Sequence, residues 1–239
     1  MTIPIQNNLP ISKQIATIII PAYNEENGLP VVLKKLFEVV DNRYEIIVVD
    51  DGSEDDTSNI TNLFPVKLIR HDVNKGKGEA IMTGASNALN DNLIFIDADD
   101  TYPVTTIPKI AEALSKYDMV IGSRKYGQDN IPRFNRLGNF FFRNSIRVIY
   151  GFQPYDPLTG LWGIRKQQLF RCKPTVRFAP DAEICIKAAR LKLQMLDIPI
   201  IYTPRVGRTK LPPIKAGFEH LGLILSLIFW KPNEKIKSS

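Results

Sequence analysis

The first half of this chain predicts an α/β fold: a mostly parallel sheet with helices on both faces. Three observations carry that expectation. Short apolar runs recur at IATIII (15–20), YEIIVVD (44–50), VKLIR (66–70), NLIFID (92–97) and DMVIG (118–122). Stretches with helical spacing separate them. The runs are apolar throughout rather than alternating, which marks strands buried on both faces.

The elements follow in order. After the first strand, Asn24 to Asp41 carries a helical pattern in which Asn24 is a possible cap. DDTSNITNLF (55–64) predicts a short helix with Asp55 or Asp56 as N-cap. GEAIMTGASNALN (78–90) predicts a third helix, and a fourth runs from about Thr105 to Lys116. The second half changes character. NRLGNFFFRNSIRVIY (135–150) is aromatic and basic, with no acidic residue between Ile131 and Tyr150. DPLTGLWGIRK (156–166) predicts a turn and a strand, PDAEICIKAARLKLQ (180–194) a helix, and MLDIPIIY (195–202) a strand. A basic loop, TPRVGRTKL (203–211), leads to an apolar helix, GFEHLGLILSLIFW (217–230). Phe140, Phe141, Ile146 and Ile149 fit either core at helical spacing or a helix lying in a membrane interface.

Composition sets bounds on function. The 239 residues suit one large α/β domain with or without a small appendage. A net charge of +6 fits an anionic ligand or a membrane surface. Basic residues do not interleave with aromatics along an extended groove, so nucleic acid is not an expected partner. Cys172 and Cys185 lack CxxC spacing and are expected to be free thiols. MTIPIQNNLPISKQ has no apolar core of the signal-peptide kind. The longest apolar run, LGLILSLIFW (221–230), is too short to span a bilayer.

The chemistry is expected where strands end. Ligands of such sheets bind at the carboxyl ends of the strands. Here those ends read PAYNEE, DDGSEDDT, DADDTYP and GSR. Asp97 and Asp99 are two apart, so in an extended chain their carboxylates share a side. Hard oxygen ligands in that arrangement suit Mg²⁺ or Mn²⁺, completed by water and a diphosphate. The alternative is a solvated acidic turn before a helix, and Asp100 points elsewhere, as a cap would. Tyr23 offers a ring for a base to stack on. Glu25 and Asp51 can accept hydrogen bonds from a ribose or base. NKGKGEA (74–80) brings Lys75 and Lys77 on a glycine-containing loop that lacks P-loop spacing.

Taken together, IIIPAYNEE, EIIVVDDGSEDDT, NKGKGEA and FIDADD resemble the family 2 glycosyltransferases of the GT-A fold, a Rossmann-like architecture. The match covers roughly residues 15–125. The resemblance implies a nucleotide-sugar donor, a divalent metal at the DxD motif and inversion at the anomeric carbon. Carried over by motif, Pro21, Tyr23, Glu25, Val49, Asp51 and Lys77 would hold the donor. Asp97 and Asp99 would serve the metal and diphosphate, and Ala98 the ribose region. GSR (122–124), NRLGN (135–139), DPLTGLWGIRK and DIPIIYTPRVGRTKL resemble the branch that transfers sugars to dolichyl or polyprenyl phosphate. By that resemblance, Arg124, Arg205, Arg208 and Lys210 would act with Asp99 in catalysis, gripping the acceptor phosphate and donor diphosphate. Mannosyl relatives often carry Gln two residues past the second aspartate; here Thr101 stands there. The resemblance places a GT-A domain over 1–212 and an apolar helix with a basic tail over 213–239. It implies a protein peripheral to the cytoplasmic face of a membrane.

Two acceptors remain open at this stage. A phosphate monoester has its second pKa near ~6, is largely dianionic at neutral pH and needs no general base. A saccharide hydroxyl needs one, and Asp181 or Glu183 in PDAEI would supply it. A nucleotidyltransferase would begin with a GxGxR loop where this chain has PAYNEE. A non-catalytic binding module would not require both Asp97 and Asp99.

Overall fold

The computed structural model describes residues 14–127, 130, 133–151, 156–176, 179–206 and 222–231. Seven strands form one sheet: β1 (Ala16–Ala22), β2 (Tyr44–Asp50), β3 (Lys67–Arg70), β4 (Asn92–Phe95), β5 (Met119–Tyr126), β6 (Trp162–Arg165) and β7 (Met195–Ile201). Their spatial order is β3-β2-β1-β4-β6-β5-β7. Pairing is parallel except at β6, which runs antiparallel to both β4 and β5. The helices are α1 (Leu29–Val39), α2 (Thr57–Thr61), α3 (Lys77–Asn87), α4 (Ile107–Ala113), α5 (Arg133–Tyr150), α6 (Lys166–Arg171) and α7 (Pro180–Arg190). A further helical segment, α8, covers 222–228.

The apolar runs fill both faces of the sheet. Ile18, Ile20, Ile46 and Val48 pack under α1 and α4, whereas Ile19, Ile47 and Val49 pack under α3. That alternation within a wholly apolar strand is what a two-faced sheet requires. Gly84 lets α3 approach β1. A Cβ there would fall 2.4 Å from Ile19 Cγ2 and 3.3 Å from Val49 Cγ2. Gly84→Ala is expected to cost about 1–3 kcal/mol through overpacking, read as a lower denaturation midpoint at unchanged m-value.

Several expected boundaries move. The first helix begins at Leu29, not Asn24, because Pro30 suits a helix start. Asn24 instead holds a left-handed backbone, φ 50°. Its N–H donates to Ser53 Oγ and its Oδ1 accepts from Glu54 N, stitching the β1 and β2 loops together. Asp55, rather than Asp56, accepts from Thr57 N. The fourth helix is split into a 3-10 turn, Val104–Thr106, and α4. Helix α6 follows β6 directly and is absent from the sequence expectation.

The aromatic stretch 135–150 resolves into two faces of α5. Phe142 and Ile146 are buried with Ala182 and Ile186 of α7 and with Leu223, Ile224 and Leu227 of α8. Phe140, Phe141 and Ile149 are exposed, so the core reading is corrected for those three. Cys172 and Cys185 are free and buried, and burial pushes both thiols up to about 12. No helix among the described residues is long and apolar enough to cross a membrane.

Candidate active site

The ends of β1, β2, β4 and β5 open on the same edge of the sheet, because these strands point the same way. Asp97, Asp99 and Thr101 follow β4 there. Asp97 Oδ1 accepts from Lys77 Nζ at 2.7 Å, and the same ammonium donates to Asp181 Oδ2 at 2.7 Å. Asp181 Oδ1 accepts from Trp162 Nε1 at 2.8 Å. Gly160 lies against Asp97: a Cβ there would fall 2.0 Å from Asp97 Oδ2. Asp99 pairs instead with Arg205, Nη2 to Oδ2 3.1 Å, and Arg205 also reaches Glu25 Oε1 at 3.3 Å. Thr101 donates to Asp99 Oδ1 from both N and Oγ1. Thr101 therefore orients the second aspartate.

Charge and burial set the site's protonation. Burial raises the Asp99 pKa, and the neighbouring Asp97 charge adds to this; Arg205 and the Thr101 hydrogen bonds oppose both. Burial likewise raises Asp181, against the pull of Lys77. Burial works against the Lys77 ammonium, but Asp181 and Asp97 outweigh it and hold the pKa above its usual value. Arg205 is held charged in the same way by Asp99 and Glu25. Two neighbouring carboxylates that already sit against the cations Lys77 and Arg205 fit a hard cation completed by ligand oxygens. Among the described residues no cluster of three or more His, Cys, Asp or Glu side chains stands ready for a metal. The remaining ligands of such an ion would come from solvent and the donor.

Asp100 is separate from this pair, as expected from its direction. Its carboxylate is bound by Lys35 Nζ of α1, at 2.7 Å and 2.6 Å, and its backbone is left-handed at φ 61°. The segment after β7 is tied to the same turn. Thr203 N donates to Thr101 O, Thr203 Oγ1 to Asp100 O, and Val206 N to Asp99 O. These bonds deliver Arg205 to the aspartates. Arg208 and Lys210 lie outside the described residues.

The other expected donor contacts divide. Pro21, Tyr23 and Glu25 line the β1 exit and are partly or wholly buried. Ala98 is buried, and its carbonyl is closely approached by Gly28 of the α1 turn. The Asp51 carboxylate accepts from Lys75 N and Gly76 N and faces His71 Nδ1 at 2.7 Å. It builds the rim of the NKGKG loop, whose approach to Gly52 (φ 75°) leaves no room for a Cβ. Val49 lies in β2 with its side chain fully buried under α3, so it offers no side chain to a donor. Lys77 is not on a flexible loop but is the first residue of α3.

At the end of β5 lies a cationic cleft of about 490 Å³, lined by Arg124, Lys125, Arg136, Arg143, Asp156 and Asp197 among others. Asp156 holds Arg124 through two bonds of 2.6 Å, and burial of Arg124 is outweighed by Tyr102 and Asp156, so it stays charged. Its guanidinium stacks over Tyr202 at 5.4 Å. Tyr202 packs edge-on to Tyr102, whose hydroxyl accepts from Gly160 N. This aromatic wall joins the cleft to the Asp97 turn. Asp156, Tyr102, Tyr202, Gly160 and Trp162 were missed in the sequence. They lie within DADDTYP, DPLTGLWGIRK and DIPIIYTPRVGRTKL, but nothing in those stretches sets them apart. Arg143 Nε and Asp197 Oδ1 are buried in this region without hydrogen-bond partners among the described residues.

Burial pushes Asp197 up to about 6, against a Ser123 hydrogen bond. Its folded pKa lies above the unfolded value, so the folded state binds the extra proton and stability falls as pH rises through roughly 4 to 6. Asp197→Asn is expected to raise Tm by a few degrees at pH 7.5 and by almost nothing at pH 4, in matched melts.

The potential base candidates are occupied. Glu183 is fully buried; it accepts from Thr175 N, Thr175 Oγ1 and Val176 N, and pairs with Lys187 at 2.6 Å. It has no route to a substrate, which corrects its candidacy as a base. Asp181 has both oxygens engaged, by Lys77 and Trp162.

Residues 17–176 match the family Glycosyl transferase family 2. The chain belongs to that family. It is a glycosyltransferase of the GT-A fold. A dolichyl-phosphate hexose transferase of Haloferax volcanii is 31% identical over 84% of this chain and 88% of its own length. A dolichol-phosphate mannosyltransferase of Pyrococcus furiosus is 33% identical over 90% of this chain and 64% of its own. In fold, the chain resembles glucosyl-3-phosphoglycerate synthase of Mycobacterium tuberculosis, solved with Mn²⁺, UDP-glucose and phosphoglyceric acid. The TM-score is 0.76 at 20% identity, covering 95% of this chain and 86% of that one.

Proposed function

We propose that this glycosyltransferase moves a hexose from a UDP- or GDP-sugar to a polyprenyl (dolichyl) phosphate, with inversion and with the help of Mg²⁺ or Mn²⁺. The observation that carries the acceptor is the cationic cleft joined to the Asp97 turn by Tyr202 and Tyr102. A phosphate dianion brings its own nucleophilic oxygen and asks the protein for positive charge, not for a base. Arg124, Arg136 and Arg143 supply that charge, while both acidic candidates for a base are already engaged. The names of the Haloferax and Pyrococcus relatives point the same way.

Asp97 and Asp99 would hold the metal, which when bound neutralises the departing nucleoside diphosphate. Arg205, delivered to Asp99 by the 203–206 segment, adds charge on the same side. Arg208 and Lys210 are assigned to the same task from sequence. Tyr23 and Glu25 at the β1 exit would face the nucleoside. The exposed apolar side chains Phe141, Val148, Leu225 and Phe229 of α5 and the α8 region suit shallow insertion in a lipid surface. A peripheral enzyme would thereby meet an acceptor whose tail stays in the bilayer.

The test is transfer of radiolabelled sugar from UDP- and GDP-hexoses to short-chain polyprenyl phosphate with Mn²⁺ or Mg²⁺. A lipid-extractable, acid-labile product is expected. Transfer to saccharides and none to polyprenyl phosphate would overturn the acceptor. Arg143→Ala is expected to raise the acceptor KM roughly tenfold with a smaller change in kcat, because it removes binding charge away from the reacting bond.

A further inference from the structure

The chain's own cations already sit on both site aspartates. Lys77 is the closer substitute for a metal. Its ammonium stands 2.7 Å from Asp97 and 2.7 Å from Asp181, and its side chain is only 30% exposed. The seat is closely packed. Lys77 opens α3, and the next residue, Gly78, is pressed against the Val176 carbonyl, where a Cβ would fall 2.7 Å away. Asp97 is backed by Gly160, and Asp181 is fixed by Trp162 Nε1, whose ring stacks on Phe95 at 4.2 Å.

We propose that Lys77 is the resident cation of Asp97, and that a divalent ion binds by exchange with it. The displaced ammonium stays on Asp181, which thereby acts as a positioning residue and not as a base. An ammonium and a divalent ion within a few ångströms of the same carboxylate repel one another strongly in a partly buried site. One must give way. Asp181 gives the ammonium a second anchor, so it can leave Asp97 without being expelled to solvent. The exchange rests on the reading of Asp97 and Asp99 as the metal carboxylates. It adds a consequence that this reading lacks: the empty site is charge-compensated, and metal affinity without nucleotide is held down.

The experiment measures Mn²⁺ binding to the nucleotide-free protein by the electron paramagnetic resonance of free Mn²⁺. Lys77→Met is expected to bind Mn²⁺ about tenfold or more tightly than wild type, since a competing charge is gone. Lys77→Arg keeps the charge and is expected to stay within about threefold of wild type. Lys75→Met removes an equal charge from the exposed lysine two residues before Lys77 and is expected to change affinity by less than about twofold. A folded Lys77→Met or Lys77→Gln protein that binds Mn²⁺ no more tightly than wild type would overturn the exchange.

A second readout leaves Lys77 in place. In Trp230→Phe protein, Trp162 is the sole indole, and Mg²⁺ is expected to shift its emission as the ammonium moves on Asp181. An unchanged emission at saturating Mg²⁺ also overturns the exchange. Absence of Mn²⁺ binding by all these proteins, with or without UDP and GDP, would instead overturn the metal reading itself.

Discussion

Asp99→Asn is expected to lower kcat for sugar transfer by about three orders of magnitude, with little loss of thermal stability. Asp99 is buried and lies beside a second carboxylate, an arrangement that raises its pKa. A neutral amide there relieves repulsion in the empty fold while removing the charge that a metal and diphosphate require. Losing one preorganised electrostatic contact of this kind typically costs about 10²–10³ in rate, and the lost metal ligand adds to it. Melting curves without ligand should be unchanged or shifted upward. The Mn²⁺-dependent rise in Tm should vanish, because a ligand stabilises only what binds it. Full activity in Asp99→Asn would remove Asp99 from the site.

Glu183→Ala is expected to have the largest effect on stability. Glu183 and Lys187 form an ion pair with 0% and 2% side-chain exposure, and Glu183 also satisfies two backbone N–H groups and the Thr175 hydroxyl. Removing one partner leaves Lys187 buried and several donors unsatisfied, a loss of about 3–5 kcal/mol. Chemical denaturation should show it as a lower midpoint. Glu183→Gln, which keeps some acceptors, should lose less. Any fall in activity should track the folded fraction, whereas a general base would lose kcat in fully folded protein.

The strands were legible because each is an apolar run of the right length between polar ends; β2 falls on 44–50 as read. The position of β6 was not legible. Nothing in GLWGIR states that it enters between β4 and β5 against their direction; that is set by pairings some 70 residues apart, Asn92 with Arg165 among them. Within the site, the acidic pair was visible because adjacent charges at a strand end have few structural uses. For Asp51, spacing reveals an acceptor but not the Lys75 and Gly76 amides that bind it. Asp156 was underread because a lone aspartate in a turn carries no signal until Arg124 is placed against it. Glu183 and Asp181 looked alike in sequence. Two residues, about half a helix turn, separate a fully buried carboxylate from one at the site edge.

The antiparallel strand also constrains how the chain assembles. Strands β1 to β4 can pair as soon as residue 95 is available, because their contacts close through short helical crossovers. The free side of β4 then waits for β6, whose partner residues lie about 70 positions later in synthesis. During that interval Leu93, Ile94 and Phe95 present an unprotected apolar edge of the kind that recruits other chains. A nascent chain stalled near residue 150 would be a natural client for a holdase chaperone, and a fragment ending there should aggregate on release. The strand that brings Trp162 to the site is therefore also the one that closes the sheet to strangers.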